Sequence, residues 1–346
     1  SGPYPRFPAI RISLRFSILD TVHMLRFIVR RLLWFIPTVL FVTFLVYVAV
    51  RIGWDPVQTY SRANPRASDE QIATYREVNG LYDGFGGYIR GYFEWLWAFV
   101  QGPDQWPRSI KGGGEVYPTL RYSLFNTLRL TGTAAFFGIG IGLFFGVVAG
   151  KRPGTWIDSI VNTTAFFVGS IPPFVSAVIL QLAFAVQLGW LPAAGIYPPG
   201  HQGFDPWLMG KHMVLPVFVV AIQTVAGYTR YMRASLLDVS SADYLRTARA
   251  KGLSEREVLR RHTIRNSLIP IATVVAIDIG ALLGGLIITE NIFNYPGMGV
   301  FFINAANDGD FPRLMPFLVI ITVSVLIFNL LADLSYAYLD PRITLD

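Results

Sequence analysis

Residues 243–270 read DYLRTARAKGLSEREVLRRHTIRNSLIP, and they lie between two apolar segments near the C-terminal end of the chain. Seven of these residues are Lys or Arg, which makes the stretch strongly basic. The pattern predicts two short helices joined at a glycine. The first helix runs from about Asp243 to Lys251, and Gly252 suits the left-handed backbone conformation that often ends helices.

The second helix opens with a capping box. The hydroxyl of Ser254 can accept a hydrogen bond from a free backbone N–H, and the side chain of Glu257 can reach back. Apolar side chains are interleaved with the charges and need a groove to bury them: Tyr244, Leu245, Val258 and Leu259. A short amphipathic helix that faces the cytoplasm is a typical contact for a soluble subunit. The alternative is an ordinary basic loop on the cytoplasmic side.

The composition indicates a membrane protein. Of the 346 residues, 53% are hydrophobic and only 15% are charged, whereas about a quarter of the residues of a soluble domain are charged. The net charge of +7 does not indicate a nucleic-acid partner, because the basic residues concentrate in loops beside apolar runs. The chain has no cysteine, which excludes disulfides and thiolate metal sites.

The apolar runs predict an all-α polytopic fold with six spans, since about 20 residues at 1.5 Å each cross a bilayer core of about 30 Å. The predicted spans are residues 28–50, 126–150, 157–188, 213–232, 267–288 and 314–339. Six spans place both termini in the cytoplasm. We divide the chain into an N-terminal extension (1–27), the first span (28–50), a large extracytoplasmic loop (51–126) and a core membrane domain (127–346) whose cytoplasmic loop is 235–266.

The extension begins Ser-Gly-Pro without Met, which is typical of a processed or engineered end, and Met24 offers a natural start. Residues 10–18 alternate apolar and polar side chains, which fits a strand better than a helix. A lone strand has no partner here, so a disordered or surface-lying segment is an equal alternative. The loop 51–126 is interpreted as a partly ordered external loop or, alternatively, as a docking surface for an external partner.

The basic residues of the short loops indicate the same orientation, with both termini in the cytoplasm. Lys151 and Arg152 follow the second span, whereas the external loops 189–211 and 291–313 carry one basic residue each, Lys211 and Arg313. This bias follows the positive-inside rule.

Two features inside the spans bear on packing and on a pathway. Glycines recur every four residues on one face of the second span, which favours close approach of another helix: Gly138, Gly142, Gly146 and Gly150. Pro172 and Pro173 must break the third span, which is then either one broken span or two half-spans. Broken helices often lie beside a pathway, because the freed backbone groups need protein or water.

Signatures of enzymes are missing from the sequence: it has no GxxxxGK[ST], no HExxH and no GxSxG. Asp278 is the one carboxylate well inside a span. A charge there costs about 3 kcal/mol, so its side chain should face the bundle interior or water. Asp278 is either a substrate or ion contact or a structural carboxylate, paired or protonated. Glu290 lies at the outer end of the same span, where it can sit at the membrane interface.

The chain resembles a known family at specific motifs. Asp243–Ser254 reproduces the run DYxRTARAKGLS, and Arg261–Pro270 reproduces RHxxRNxLIP. Further matches are Glu290–Phe293, Pro296–Gly299 and the ending Leu339–Ile343. On these residues the chain resembles the inner-membrane permease subunits of binding-protein-dependent ATP-binding-cassette (ABC) importers, in the dipeptide, oligopeptide and nickel branch.

The general importer signature has the form EAA, three residues, then Gly. Ala248 and Gly252 occupy this frame, while Arg246 and Thr247 stand where the Glu and the first Ala would be. The loop at 102–114 departs from the branch's usual short Gly-Asp-Gly pattern.

The resemblance implies a type I ABC importer permease fold in a bacterial or archaeal cytoplasmic membrane, and a transporter subunit rather than an enzyme. Its implied partners are a second permease (a different chain), two ATPase subunits, an extracytoplasmic substrate-binding protein and membrane lipid. ATP and Mg²⁺ are bound by the ATPase subunits, so this chain needs no cofactor or metal. The implied substrates are di- and oligopeptides, with nickel chelates, glutathione-like solutes or oligosaccharides as alternatives.

Three groups of candidate residues follow. ATPase coupling is assigned to Asp243, Tyr244, Arg246, Thr247, Ala248, Lys251 and Gly252. Candidates for the translocation pathway are Ser170, Pro172, Pro173, Asp278, Gly284 and Gly285. Candidates for an outer gate or a binding-protein contact are Glu290, Phe293, Pro296 and Gly297. The alternative class is a stand-alone ion-coupled secondary transporter in which Asp278 titrates.

Overall fold

The computed structural model describes residues 18–53, 55–111 and 113–339. Within these residues the chain is built of helices and connecting loops, without strands. Of the strand predicted at residues 10–18, residues 10–17 lie outside the described residues. The motif residues 340–343 also lie outside them.

In chain order, the helices are α1 (Ile18–Gly53), α2 (Pro56–Ala63), α3 (Asp69–Val78), α4 (Gly84–Gln101), α5 (Val116–Gly150), α6 (Trp156–Ser170), α7 (Pro173–Leu180), α8 (Pro206–Ser240), α9 (Asp243–Ala250), α10 (Glu255–Glu257), α11 (Ile264–Gly285), α12 (Ile287–Ile292), α13 (Met298–Asn307) and α14 (Phe311–Leu339). A 3₁₀ turn spans Pro103–Gln105, and π-helical turns span Gln181–Gln187 and Val258–Thr263.

Four helices are long and apolar enough to cross a membrane among the described residues: Val29–Gly53, Val116–Gly150, Pro206–Ser240 and Phe311–Ala332. A bent pair, α6 with α7 and its π-helical extension, makes a fifth span if the pair is counted as one. The predicted fifth span is represented by α11, which packs against α14. The six-span count therefore stays a prediction.

The glycine face predicted on α5 is confirmed. A Cβ atom added to Gly142 would lie 2.8 Å from the Tyr228 Cβ, and one added to Gly146 would lie 2.5 Å from the Met232 Cβ. No side chain fits between α5 and α8 at these points, so the two helices pack with their backbones close together.

The break predicted at the proline pair is also confirmed, with α6 and α7 meeting at 92°. Ser170 ends α6 and turns its hydroxyl back to the Phe166 carbonyl at 2.8 Å. The carbonyl of Ile171, freed by the break, accepts a hydrogen bond from Gln223 Nε2 on α8 at 2.8 Å. Protein rather than lipid thus satisfies this backbone group, as buried polar groups require.

The segment predicted as the loop 51–126 is largely helical, and its boundaries differ from the prediction. It contains α2, α3 and α4, and α5 begins at Val116 rather than near residue 126. These helices carry mixed charge and lack a long apolar run, so a search for spans does not find them. They pack on the bundle through an aromatic cluster, in which the Tyr47 ring meets the rings of Tyr92 and Phe311 edge to face.

The first span also differs from 28–50, because α1 starts at Ile18 inside the predicted extension. At one end of the bundle lie the turn 151–155 and the segment 241–263, which we call the hairpin end. At the other end, the insertion end, lie the segments 55–111, 113–115, 188–205 and 286–310. There Ser109 donates a hydrogen bond to the buried carboxylate of Asp310, and the Gly195 N–H donates to the Phe293 carbonyl at 2.9 Å.

Candidate functional site

At the hairpin end, residues 243–263 form the predicted helix–glycine–helix unit. Gly252 has a φ of +82°, in the left-handed region that favours glycine. The Glu257 N–H donates to Ser254 Oγ at 3.4 Å, and the Ser254 N–H donates to Glu257 Oε2 at 3.2 Å. Hydrogen bonds from the Ser254 hydroxyl and N–H lower the pKa of Glu257. The capping box is therefore confirmed.

The prediction that the apolar residues of this unit need a partner's groove is wrong for two of them. Leu245 and Val258 are buried against Ala248 inside the unit itself. The turn at Gly252 folds α9 back onto the second helix, so each helix covers the other's apolar face. Tyr244 stays 43% exposed, and its hydroxyl accepts a hydrogen bond from Asn266 Nδ2 at 3.0 Å. We call this self-packed unit, residues 243–263, the hairpin.

The exposed surface of α9 is polar. Among the coupling candidates, the structure buries only Ala248, while the others are exposed: Asp243, Tyr244, Arg246, Thr247, Lys251 and Gly252. Arg246 lies 3.7 Å from Asp243 in a solvent-exposed ion pair, which is worth little in stability. A partner would therefore contact charges and backbone on a rigid unit rather than insert around apolar anchors.

Two serines join α8 and α11, the helices on either side of the hairpin. Ser235 Oγ on α8 donates to the Ser267 carbonyl on α11 at 2.8 Å, and Ser267 Oγ donates to the Ser235 carbonyl at 3.3 Å. These reciprocal bonds hold together the two helices that enter and leave the hairpin.

An ion pair that sequence reasoning missed lies near the hairpin. Arg233, two turns before the end of α8, makes two hydrogen bonds to Asp158 in the first turn of α6. Asp158 also accepts a hydrogen bond from the Gly154 N–H at 2.9 Å. Asp158 follows the helix-capping Thr155 by three residues, which signals a helix start but gives no hint of a partner 75 residues away.

The pathway candidates fall into two groups that contact α8 at different points. The α6–α7 break contacts Gln223, whereas Asp278 accepts a hydrogen bond from the Tyr228 hydroxyl at 2.9 Å. This bond supports the interpretation of Asp278 as a paired structural carboxylate. No hydrogen bond joins the break to Asp278 in the part of the chain that the structure describes. Gly284 and Gly285 form the last turn of α11.

At the insertion end, Glu290 is fully buried. Its Oε1 accepts a hydrogen bond from Thr127 Oγ1 at 2.5 Å, and its Oε2 accepts one from the Gly299 N–H at 2.6 Å. A Cβ added to Gly297 would overlap the Glu290 carboxylate, which therefore needs a glycine at this position. An interfacial position or a direct contact with a binding protein requires an exposed carboxylate, and the structure does not provide one.

The neighbouring candidates belong to the same internal cluster, which we call the Glu290 unit: the segment 286–299 with its α5 partners Asn126 and Thr127. Asn126 Nδ2 on α5 donates to the Pro296 carbonyl at 3.0 Å, and the Tyr295 hydroxyl donates to the Asn126 carbonyl at 3.2 Å. Phe293 is buried in the core beside Tyr295. The outer-gate candidates therefore fix the segment 286–299 against α5 instead of forming a surface.

Comparisons with known proteins match the part of the chain that contains the hairpin and Glu290. The family model described as "Binding-protein-dependent transport system inner membrane component" matches residues 142–345, which include the hairpin and the segment 286–299. The chain belongs to this family. It is therefore a multi-pass inner-membrane subunit of such a transporter, in which separate subunits hydrolyse ATP.

Individual relatives extend the match to nearly the whole chain. The oligopeptide transport system permease protein AppB of Bacillus subtilis is 37% identical over 321 residues, covering 92% of this chain and 99% of the relative. The glutathione transport system permease protein GsiC of Escherichia coli K12 is 33% identical over 325 residues, with the same coverage. A chain of the MetNI methionine ABC transporter superposes with a TM-score of 0.51 at 19% identity, over 64% of this chain and 96% of that one, which shows the shared fold alone.

Proposed function

We propose that this chain is one permease half of an ATP-driven importer of short peptides. The observation that carries the substrate class is the 37% identity, over 92% of the chain, to a permease named for oligopeptide transport. The relative named for glutathione, itself a tripeptide, fits the same class of solute.

The hairpin end faces the cytoplasm in this proposal. Lys151 and Arg152 in its short turn, together with the basic residues of the hairpin, support that orientation. The insertion end then faces outward, where a binding protein delivers the solute. Its helices α2–α4 and the turn 102–114 offer the surface for that delivery.

The hairpin is the proposed contact for one ATPase subunit. Its internal packing around Leu245, Ala248 and Val258 makes it rigid without a partner, so a displacement imposed by the ATPase is transmitted rather than absorbed. Asp243, Arg246 and Lys251 supply a charged face for an ATPase cleft. The serine bonds between α8 and α11 carry the movement into the bundle.

The complete assembly contains a second permease of different sequence, two ATPases and the external binding protein. Exposed phenylalanines along α5 are available to the second permease or to lipid: Phe136, Phe137, Phe144 and Phe145. The pathway is proposed to run beside the α6–α7 break, where Gln223 holds the freed carbonyl.

Uptake of a radiolabelled tripeptide into proteoliposomes that contain the complete complex tests this function. The proposal expects uptake that requires ATP hydrolysis and the binding protein and is indifferent to uncouplers. Uptake by the purified single chain that is abolished by uncouplers and unaffected by ATP would instead establish a secondary transporter.

A further inference from the structure

A cavity of about 500 Å³ opens at the insertion end, between the first turns of α5 and the loop 188–205. Its walls are aromatic and basic, and they include Tyr117, Arg121, Phe125, Arg129, Tyr197 and Phe204. The volume lies within the range of about 300–1,000 Å³ that is typical of small-ligand pockets. We call this cavity the mouth pocket.

The α5 wall follows helical spacing. Arg121, Phe125 and Arg129 recur every four residues, so they share one face, and that face is exposed. The opposite face is buried, at Asn126, Thr127 and other positions. The two guanidinium groups are therefore presented together on the open side of a helix whose other side is fixed in the bundle.

Neither guanidinium is neutralised by a residue that the structure describes. Within the described residues, no carboxylate lies within 4.0 Å of Arg121 or Arg129. The Arg121 guanidinium stands 5.7 Å from the centre of the Phe125 ring. Among the same residues, no Asp or Glu lines the cavity. The pocket thus attracts a negative group and repels an amine.

Arg129 is held in position by a buried side chain. Its Nη1 donates to Asn126 Oδ1 at 3.2 Å, and Asn126 is fully buried and bound to the Pro296 carbonyl. The facing loop is fixed as well, since the Gly195 N–H donates to the Phe293 carbonyl. Both walls therefore rest on the Glu290 unit, and the pocket is a preformed site.

We infer that the mouth pocket binds the C-terminal carboxylate of a peptide, with Arg129 as its main anchor and the aromatic walls around the last side chain. A planar guanidinium matches a carboxylate with two parallel hydrogen bonds. Phenyl and phenol rings cover apolar surface next to it. No carboxylate among the described residues lines the pocket, so the amino terminus of a peptide has no partner there. The pocket therefore selects the carboxyl end of the peptide.

The inference rests on the proposed peptide import, and the test separates the two. The complete complex in proteoliposomes is given one tripeptide with a free C-terminal carboxylate and the same tripeptide as its C-terminal amide. The ratio of acid to amide uptake is compared between wild type and Arg129→Gln. The binding protein's own preference is the same in both complexes, so it cancels from the comparison.

Arg129→Gln is expected to lower the acid-to-amide ratio about tenfold or more, because a glutamine amide cannot form the two charge-assisted hydrogen bonds. The acid-to-amide ratio of Arg129→Lys is expected to lie between those of wild type and Arg129→Gln, because Lys keeps the charge but lacks the planar guanidinium. Lys211→Gln, which removes an exposed charge outside the pocket, should leave the ratio unchanged.

An unchanged ratio in Arg129→Gln overturns the inference. An equal loss of both peptides also overturns it, because the pocket then serves the binding protein or anionic lipid. If Arg129→Gln fails to assemble, Arg121→Gln gives the same readout, since among the described residues the Arg121 guanidinium makes only a ring contact, with Phe125. Uptake of neither peptide by wild type contradicts peptide import itself.

Discussion

Arg233 donates two hydrogen bonds to Asp158, from Nε to Oδ1 at 2.5 Å and from Nη2 to Oδ2 at 2.8 Å. The Asp158 side chain is almost fully buried and that of Arg233 is about a quarter exposed. The pair joins α6, which leads to the proline break, to α8, which leads into the hairpin. It therefore links the helix that leads into the proposed ATPase contact with the helix that leads to the proposed pathway.

Asp158→Asn is expected to destabilise the complex by about 2 kcal/mol, between the values typical of exposed and buried ion pairs. The cause is the charge of Arg233, which is left without its partner. Arg233→Gln in the same background should recover part of the loss. Thermal unfolding of the purified complex measures both, and a double variant no more stable than Asp158→Asn would show that the pair is not coupled.

The glycine face of α5 gives a second prediction with an internal control. A Cβ at Gly146 would lie 2.5 Å from the Met232 Cβ and 2.8 Å from the Thr229 carbonyl oxygen, whereas one at Gly140 would meet no atom within 4 Å. Gly146→Ala should destabilise by about 1–3 kcal/mol, the usual cost of overpacking. Gly140→Ala should stabilise by up to about 1 kcal/mol through helix propensity.

Thermal unfolding of the two variants side by side is the measurement. Equal effects at both positions would contradict close α5–α8 packing at the glycine face.

The Glu290 unit gives a third prediction. Thr127 Oγ1 donates to Glu290 and accepts from the Met298 N–H at 2.8 Å. Thr127→Val removes the hydrogen bond to Glu290 Oε1 and leaves the Met298 N–H without its acceptor, at about 1–3 kcal/mol each. Thr127→Ser keeps the hydroxyl and should lose only about 1 kcal/mol of methyl burial.

Hydrogen exchange of residues 286–299 measures the local effect of these substitutions. Protection should fall strongly in Thr127→Val and little in Thr127→Ser. Indistinguishable exchange in the two variants would contradict the role of the hydroxyl.

The parts of the fold that the sequence predicts are those with local signals. The hairpin turn depends on Gly252, and the capping box depends on Ser254 and Glu257, which are three residues apart. The proline break and the glycine face are equally local. Each is determined by steric rules that act within a few residues of the chain.

The parts that the sequence does not predict depend on distant partners. Glu290 is buried because Thr127, 163 residues away, donates to it, and Gln223 meets the Ile171 carbonyl across 52 residues. The self-packing of Leu245 with Val258 depends on how tightly the turn closes, so their burial inside the hairpin could not be distinguished from burial in a partner's groove.

The central claim is that the hairpin couples ATP hydrolysis to transport, and the most direct test is the number of ATP molecules hydrolysed per peptide imported by the complete complex. Gly252→Val forces a β-branched residue into a φ of +82°, and an added Cβ meets no atom within 4 Å. Gly84→Val is the matched control at the insertion end, with a φ of +75° and likewise no atom within 4 Å. We predict that this number rises about tenfold or more in Gly252→Val, where strain of about 1–3 kcal/mol displaces the hairpin, and stays near wild type in Gly84→Val. A wild-type number of ATP molecules per peptide in Gly252→Val would contradict the claim.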